Sequence, residues 1–249
     1  MKSRRLFTLL PFAALLLLWQ LCAVLNGGRL IPEPADTISA LLRLAAESAT
    51  WLDILRTLSR GFLGLVLALI AAEVLGIWCG RRPLVMGMLS PVVTFFQGCP
   101  PIVWISLLLV WVSLGSTVPV AVVAISTFPA LFLTIARSTA SLDHKYFQVA
   151  SIYRVPRLTV LTRLIIPGIA DATSAAMSYA LGLAWKVTAT AEYLGAEDGI
   201  GGRIYQAYRN LQLPELYAWT LIIALIGLSV EKFTIRRQAQ QRAGGPRNV

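Results

Sequence analysis

Six long apolar runs, separated by short polar or basic segments, constrain this chain more than any other feature of its sequence. They cover about residues 6–25, 55–79, 85–113, 118–138, 168–192 and 215–234. A helix needs about 20 apolar residues to cross a bilayer. Charged residues make up only 14% of the chain, whereas roughly 25% is usual for a soluble domain. The sequence therefore excludes a water-soluble fold and predicts a single all-α integral membrane domain over residues 1–249 with six transmembrane helices.

The positions of the basic residues predict how the chain is oriented. It has 22 Lys and Arg residues and a net charge of +10. Most of these cations lie in the segments that share one side of the membrane with both termini, as is typical of cytoplasmic segments. We therefore expect both termini in the cytoplasm, with a tail over 236–249. The first run is long enough to span and no A-x-A site follows it, so we expect an uncleaved helix.

The residue pattern gives little support for nucleic-acid binding, a metal site, enzymatic activity or ATP binding in this chain. The basic residues form no stripe interleaved with aromatic residues, so we expect no nucleic-acid binding. Three cysteines without metal-ligand spacing and a single histidine, His144, predict neither a disulfide framework nor a metal site. The scattered carboxylates do not form the cluster that a membrane-embedded enzyme needs. The sequence contains no G-x-x-x-x-G-K-[ST] motif, so we expect no cofactor and no bound ATP in this chain.

Small residues at regular spacing predict where the helices pack. In lipid, helix association depends on close approach of small side chains. The second run carries Ala68, Ala72, Gly76 and Gly80 at four-residue steps. The fifth run carries one ridge of Ala172, Ala176, Ala180 and Ala184 and a second ridge of Ser174, Ser178, Gly182, Lys186 and Thr190. The two ridges favour a fifth helix that is buried on two sides, as a central or pore-lining helix.

The third run is interrupted by the sequence Gly98-Cys99-Pro100-Pro101. Each proline removes a backbone donor and disfavours the α conformation of the residue before it. A broken backbone at membrane depth is tolerated where protein or a water-filled cavity covers it. Two interpretations stay open: a simple kink between packed helices, or a break that lines a translocation path, with Gln97 offering hydrogen bonds.

Several charged residues have otherwise apolar surroundings within the runs. Glu73 is in the second run, Lys186 and Glu192 are in the fifth, and Glu231 is late in the sixth, beside Lys232 at the inner boundary. A charge near the bilayer centre costs about 2.5–3.5 kcal/mol, so it needs a partner or water. The favoured interpretation is a salt bridge between Glu73 and Lys186. The alternative is that Lys186 binds an anionic substrate in the pore. An ion-gradient-driven transporter using Glu73 or Glu192 is the alternative function, although the inverted repeats of such carriers are not evident.

Two segments are expected on the outer side. The loop at about 30–50 contains Pro32 and Pro34, followed by a short interfacial helix. Its predicted apolar face consists of Ile38, Leu41, Leu42 and Ala45. The glycine-rich segment 195–205 is expected to be a flexible loop that leads to a short helix and forms a gate or docking edge.

The segment 148–167, QVASIYRVPRLTVLTRLIIP, lies within a predicted cytoplasmic loop at about 143–160. Asp143 can begin a helix that ends near Arg154, before Pro156. The segment resembles the coupling loop of ABC-importer permeases, whose pattern is E-A-A, three residues, G, nine residues and I-x-L-P. The matching positions are Gln148, Val149, Ala150, Arg154, Leu164, Ile166 and Pro167, so Gln replaces the Glu and Arg replaces the Gly.

The resemblance extends from about residue 30 to 233 and is strongest to permeases for nitrate, sulfonate and taurine. It also includes Ser59-Arg60-Gly61-Phe62, Pro100-Pro101, Ala184-Trp185-Lys186, Ala191-Glu192 and Gly199-Ile200-Gly201. It implies a type I importer permease in a bacterial inner membrane that binds a small nutrient. It further implies a second permease copy, a separate ATPase that binds ATP, and a substrate-binding protein.

The resemblance also implies two groups of functional residues. The ATPase would contact Phe147, Gln148, Val149, Ala150, Ile152, Tyr153 and Arg154. The substrate path would include Gln97, Pro100, Pro101, Trp185, Lys186 and Glu192. The residue pattern alone leaves open a second interpretation of the first group, an amphipathic helix lying on the bilayer.

Overall fold

The computed structural model describes residues 2–27 and 30–244, with side chains over 10–11, 13–27 and 30–232. Arg29 and the end of the predicted tail, 245–249, lie outside the described residues. The helices are α1 (Lys2–Leu25), α2 (Pro34–Ala46), α3 (Ser48–Gly80), α4 (Pro83–Gly98), α5 (Pro101–Val112), α6 (Thr117–Ala140), α7 (His144–Ile152), α8 (Arg157–Val160), α9 (Ile166–Gly195), α10 (Gly199–Arg209) and α11 (Leu213–Gly244). A π-helical turn, Leu161–Ile165, joins α8 to α9.

The predicted all-α membrane fold is confirmed. In the described part of the chain, four helical units are long and apolar enough to cross a membrane: α3, α6, the continuous unit Arg157–Gly195 and the first part of α11, Leu213–Lys232. The pair α4 and α5 together form a fifth. Helix α1 covers the predicted first span and is apolar over Ala13–Leu25.

The helix that contains the predicted fifth span, about 168–192, extends further toward the N-terminus than the predicted start. The helix already begins at Arg157, and Pro167 lies inside the continuous unit. The π-helical turn explains how the helix tolerates this proline: the Ile166 N–H bonds to the Leu161 carbonyl, which makes a wider turn just before Pro167. A wider turn leaves room where a proline ring would otherwise clash with the preceding turn.

The predicted break in the third span is confirmed as a sharp bend. Helices α4 and α5 meet at 91° across Cys99 and Pro100. Pro100 is extended, with ψ 141°, and Pro101 begins α5. Phe96 stacks on Trp104 with ring centroids 5.1 Å apart, which holds the two arms together on the inside of the bend.

Helices α3, α6 and α9 form the core, and small residues allow them to approach closely. A Cβ on Gly80 would lie 2.4 Å from the Ala136 carbonyl oxygen, and one on Gly76 would lie 2.9 Å from Ile135. The predicted ridge of α3 therefore packs against α6. On α9, Ala176, Ala180 and Ala184 are buried in the same core.

The expectation that α9 is buried on two sides is wrong within one protomer. Ser178 of the second ridge is buried, but the ridge opens outward from Gly182 onward, where a Cβ would meet no atom within 4 Å. Lys186 and Thr190 on the same ridge are exposed. One face of α9 is therefore left uncovered by the described part of the chain.

The predicted outer helix exists as α2, but its buried face differs from the predicted one. Thr37, Ala40 and Leu44 face the protein, and Arg43 joins α2 to α11 through an ion pair with Glu215 at 2.7 Å. The predicted apolar face, which includes Ile38 and Leu42, points away from the protein. That face is therefore free to contact lipid.

Candidate functional site

A polar stripe on α3 forms the centre of a buried network at one end of the bundle. Asp53, Thr57 and Arg60 follow one another at four- and three-residue steps, so they lie on one helix face. All three are buried. Arg60 Nη1 lies 2.9 Å from a Glu192 carboxylate oxygen of α9, and their side chains are 5% and 0% exposed. A buried charge pair therefore joins α3 to α9.

The same stripe caps the N-terminus of α10. The Gly199 N–H donates to the Asp53 carboxylate at 3.1 Å, and the Ile200 N–H donates to the Thr57 hydroxyl at 2.9 Å. The Gly201 N–H donates to Glu192 at 3.2 Å. Helices α3 and α9 thus satisfy amides that would otherwise lack partners, and two carboxylates face the positive end of the helix dipole.

Thr57 and Arg203 complete the hydrogen bonding of the two buried carboxylates. The Thr57 hydroxyl donates to Glu192 at 2.7 Å. Arg203, on α10, donates through Nε to Asp53 at 2.6 Å. Each buried carboxylate therefore has both a cation and neutral donors, which is the condition under which burying a charge is tolerated.

Asp198 precedes α10 and closes the network on its outer side. Its carboxylate accepts a hydrogen bond from Arg60 Nη2 and lies 3.2 Å from Arg56. Partial burial raises the pKa of Asp198, but the hydrogen bond from Arg60 and the charges of Arg60 and Arg56 outweigh it and hold the pKa below its ordinary value. Arg60 Nη2 also donates to Ser116, before α6, at 2.6 Å. Arg60 thus connects four parts of the fold.

Two glycines allow α10 to approach α9. A Cβ on Gly201 would lie 2.2 Å from the Ala189 carbonyl oxygen, which is too close for any side chain. Gly199 has φ +84°, a left-handed conformation that glycine adopts easily. The expectation of a flexible loop at 195–205 is wrong, because 199–202 are buried and begin a packed helix. The predicted short helix after it is confirmed.

The predicted Glu73–Lys186 salt bridge is wrong. The Arg60–Glu192 pair sets the register of the antiparallel helices α3 and α9. Counted from that pair, Glu73 lies seven residues deeper than Lys186, which is about 10 Å along the helix axis. Lys186 is exposed on the open face of α9, and Glu73 lines a cavity at the opposite end of α3.

The prediction that Glu192 lines the substrate path is also corrected, because its side chain is enclosed by the protein and lines no open surface. The sequence reasoning missed Asp53, Thr57 and Arg60 as its partners. The spacing of the three polar residues on one face of an apolar helix was the signal that could have identified the network.

The remaining predicted path residues lie in two separate places. Gln97 and Pro100 are exposed at the α4–α5 bend, and Pro101 is half-buried there. Trp185 is half-buried against α11, where a Cβ on Gly227 would lie 2.9 Å from its indole nitrogen.

Helix α7 coincides with the predicted coupling helix, and both of its ends are capped. The Asp143 carboxylate accepts a hydrogen bond from the Lys145 N–H at 2.9 Å. At the other end, Arg154 is left-handed with φ 52°, and the Val155 N–H bonds to the Ala150 carbonyl at 2.9 Å. This Schellman arrangement normally has glycine at the left-handed position. It explains physically why the importer pattern has Gly where this chain has Arg154.

The two faces of α7 differ in what they contact. The Arg81 guanidinium, at the end of α3, stacks over the Phe147 ring at 4.9 Å. Phe147 and Ala150 are half-buried beside it and face their own bundle, so the expectation that they enter a partner's groove is corrected. The opposite face carries exposed Val149, Ile152 and Tyr153, at 52%, 77% and 77% of their full accessibility. Gln148 and Arg154 are exposed as well.

Membrane-spanning helices around a small-residue core, with one broken span and a capped helix exposing apolar side chains, define a multi-pass membrane transport permease. Residues 64–234 match the model of the family described as binding-protein-dependent transport system inner membrane component. The chain belongs to this family and is the permease subunit of an ABC importer.

Relatives and a solved structure agree with this assignment. The chain is 24% identical over 226 residues to the taurine transport system permease protein TauC of Escherichia coli K12. The alignment covers 88% of this chain and 82% of TauC. It is 25% identical over 232 residues to the nitrate import permease protein NrtB of Leptolyngbya laminosa, covering 90% of this chain and 83% of NrtB. A bacterial ABC transporter that imports the acidic polysaccharide alginate has the same fold, with a TM-score of 0.68, 12% identity and 96% of each chain covered.

Proposed function

We propose that this chain forms the translocation pathway for a small nutrient with an anionic group, such as a sulfonate, nitrate or taurine. A substrate-binding protein delivers the nutrient at the end that carries α10. A separate ATPase binds ATP and drives transport from the end that carries α7. TauC and NrtB, by their names, carry taurine and nitrate. The exposed cation Lys186 on the open face of α9 supports an anion as substrate.

The observation that carries the proposal is the exposed apolar face of α7. Val149, Ile152 and Tyr153 lie at three- and four-residue steps, so they form one surface. Caps at both ends and the Arg81–Phe147 contact keep the helix in place on the bundle. A short rigid helix that inserts apolar side chains into a partner's groove transmits a displacement as a rigid body.

A second copy of the chain completes the pathway. The open face of α9, around Gly182, Lys186 and Thr190, lies on a helix whose opposite face is buried. Small residues on an uncovered membrane helix are typical of helix–helix interfaces. Two copies related by a twofold axis would place these faces opposite each other around a path.

The orientation follows from charge. One end of the bundle, where α3 ends, carries Arg81, Arg82 and the basic residues of α7 and α8. Both termini are expected at the same end. Excess Lys and Arg mark the cytoplasmic side of an inner membrane protein. The α7 end would therefore face the ATPase in the cytoplasm.

The test uses the full chain in proteoliposomes with the ATPase and the binding protein encoded beside it. Ile152→Asp and Tyr153→Asp each place a charge on the proposed contact, so we expect at least a tenfold loss of both ATPase co-purification and ATP-dependent uptake. Tyr208→Asp is the matched control for ATPase co-purification, since Tyr208 is 56% exposed on α10 at the other end. Full ATPase binding by both α7 variants, or uptake by this chain alone driven by an ion gradient, would overturn the proposal.

A further inference from the structure

A cavity of about 680 Å³ opens between the end of α3 and the start of the Arg157–Gly195 helical unit. Its walls are residues 73–82 on one side and 157–166 on the other. Each wall is about two and a half turns long, or about 14 Å. The two helices are antiparallel at this point, so the same level of both walls faces the same depth of the membrane.

The cavity is basic at its mouth and mostly apolar deeper down, where Glu73 is the one carboxylate among the described residues of its lining. Arg81, Arg82 and Arg157 lie at the mouth, where both helical walls begin or end. Deeper along the walls lie apolar side chains, including Val74 and Ile166, which are 64% and 46% exposed. This gradient from cations to hydrocarbon matches the gradient across one leaflet of a bilayer.

The arginines at the mouth are oriented and lack carboxylate partners. Arg82 stacks over the Trp78 ring at 5.2 Å, and Arg81 stacks over Phe147 at 4.9 Å. A guanidinium held over an aromatic ring is positioned without an acidic partner, so its N–H groups can still donate to an oxyanion. Among residues 30–232, no ion pair within 4 Å joins Arg81, Arg82 or Arg157 to an acidic group.

We propose that this cavity is a binding site for one anionic phospholipid of the adjoining leaflet. The phosphodiester lies between Arg81, Arg82 and Arg157, and an acyl chain lies on the apolar wall. Three cations against one carboxylate, Glu73, leave the cavity with a net positive charge that a zwitterionic lipid does not complement. Trp78, which is 45% exposed, sits at the headgroup level where tryptophan is enriched.

The site is continuous with the α7 attachment. A smaller cavity of about 200 Å³ shares Arg81 and Arg157 with the lipid site and is also lined by Phe147 and Ala150. A bound headgroup therefore neutralises the arginine on which α7 rests. The consequence for ATPase coupling depends on the proposed function, whereas binding of the lipid does not.

The experiment measures quenching of tryptophan fluorescence by lipid with brominated acyl chains, using the purified full chain in detergent. Brominated phosphatidylglycerol should quench at lower concentration than brominated phosphatidylcholine, and Trp78→Phe should remove most of that difference. The double variant Arg82→Gln/Arg157→Gln should bind phosphatidylglycerol about 30-fold more weakly, which converts to about 2 kcal/mol at about 1 kcal/mol per arginine. Arg154→Gln/Arg163→Gln is the matched control, because both residues are exposed at the same end and neither lines the cavity.

A second variant is expected to strengthen lipid binding, an effect that a folding defect would not produce. Glu73→Gln removes the like charge and should tighten phosphatidylglycerol binding several-fold. Equal effects of the two double variants, equal quenching by both lipids, or displacement of the lipid by millimolar inorganic phosphate would overturn the proposal.

Discussion

Replacing Arg60 by Met tests whether the buried ion network stabilises the outer end of the bundle. The change keeps an apolar side chain of similar length but leaves Glu192, which is 0% exposed, without its cation. Glu192 would retain only two neutral donors, Thr57 and the Gly201 N–H. Breaking a buried pair in this way costs about 3–5 kcal/mol. For a chain of this size, where about 1 kcal/mol corresponds to about 2–4 °C, we expect the apparent Tm to fall by about 6–20 °C.

Replacing Glu192 instead of Arg60 should cost less stability, because Arg60 has other hydrogen-bond partners and Glu192 has no other cation among the described residues. Glu192→Gln leaves Arg60 bonded to Asp198 and Ser116. The loss is then one charge-assisted hydrogen bond, or about 2 kcal/mol. In the double variant Arg60→Met/Glu192→Gln no buried charge is orphaned, so it should be no less stable than Arg60→Met alone.

Thermal unfolding of the purified variants, followed by tryptophan fluorescence in one detergent, measures these differences. Arg209→Met is the matched control, since Arg209 is exposed on α10, and it should shift the apparent Tm by no more than about 1 °C. If Arg60→Met and Arg209→Met behave alike, the network contributes nothing. Additive losses in the double variant would show that the two side chains act independently.

Three further predictions concern the same two ends of the molecule. Gly201→Ala should lower the apparent Tm and abolish uptake, because its Cβ would meet a backbone carbonyl at 2.2 Å, whereas Gly87→Ala on α4, with no atom within 4 Å, should do neither. Arg154→Gly should slow amide exchange over 150–155 about fivefold, because it removes a left-handed strain of about 1 kcal/mol; unchanged exchange would contradict this. The lowered pKa of Asp198 contributes stability above its ordinary value of 3.8 that is lost as the pH falls through the lower, folded value. The difference in apparent Tm between wild type and Asp198→Asn should therefore be constant from pH 5 to 8 and disappear in stronger acid.

The spans and the bend could be predicted because they depend on local sequence. An apolar run of sufficient length has one stable arrangement in lipid, and adjacent prolines interrupt a helix wherever they occur. The N-terminal extension of the helix that contains the fifth span was missed because a proline inside a helix is tolerated when a π-helical turn precedes it. That turn, Leu161–Ile165, leaves no pattern in the residue types.

The ion network could not be predicted because it depends on the register between distant helices. Glu73 and Lys186 are both charges in apolar runs, which made them an obvious pair. Only the packing of α3 against α9 shows that Arg60, and not Glu73, lies beside α9's carboxylate Glu192. The contacts of the inner face of α7 could not be predicted for the same reason. They depend on the position of Arg81 at the end of α3.

Helix α3 connects the two ends of the molecule, and its structure limits how they communicate. Arg60 and Arg81 are 21 residues apart on or directly after this helix, which is about 30 Å and equals the thickness of the hydrocarbon core. No proline interrupts α3, and its glycines are packed against α6 and α9, so it moves as a rigid rod. A displacement of α7 therefore reaches the outer network by tilting α3 rather than by bending it. The compensating changes must occur where the helices are already irregular, at the α4–α5 bend and at the π-helical turn before α9.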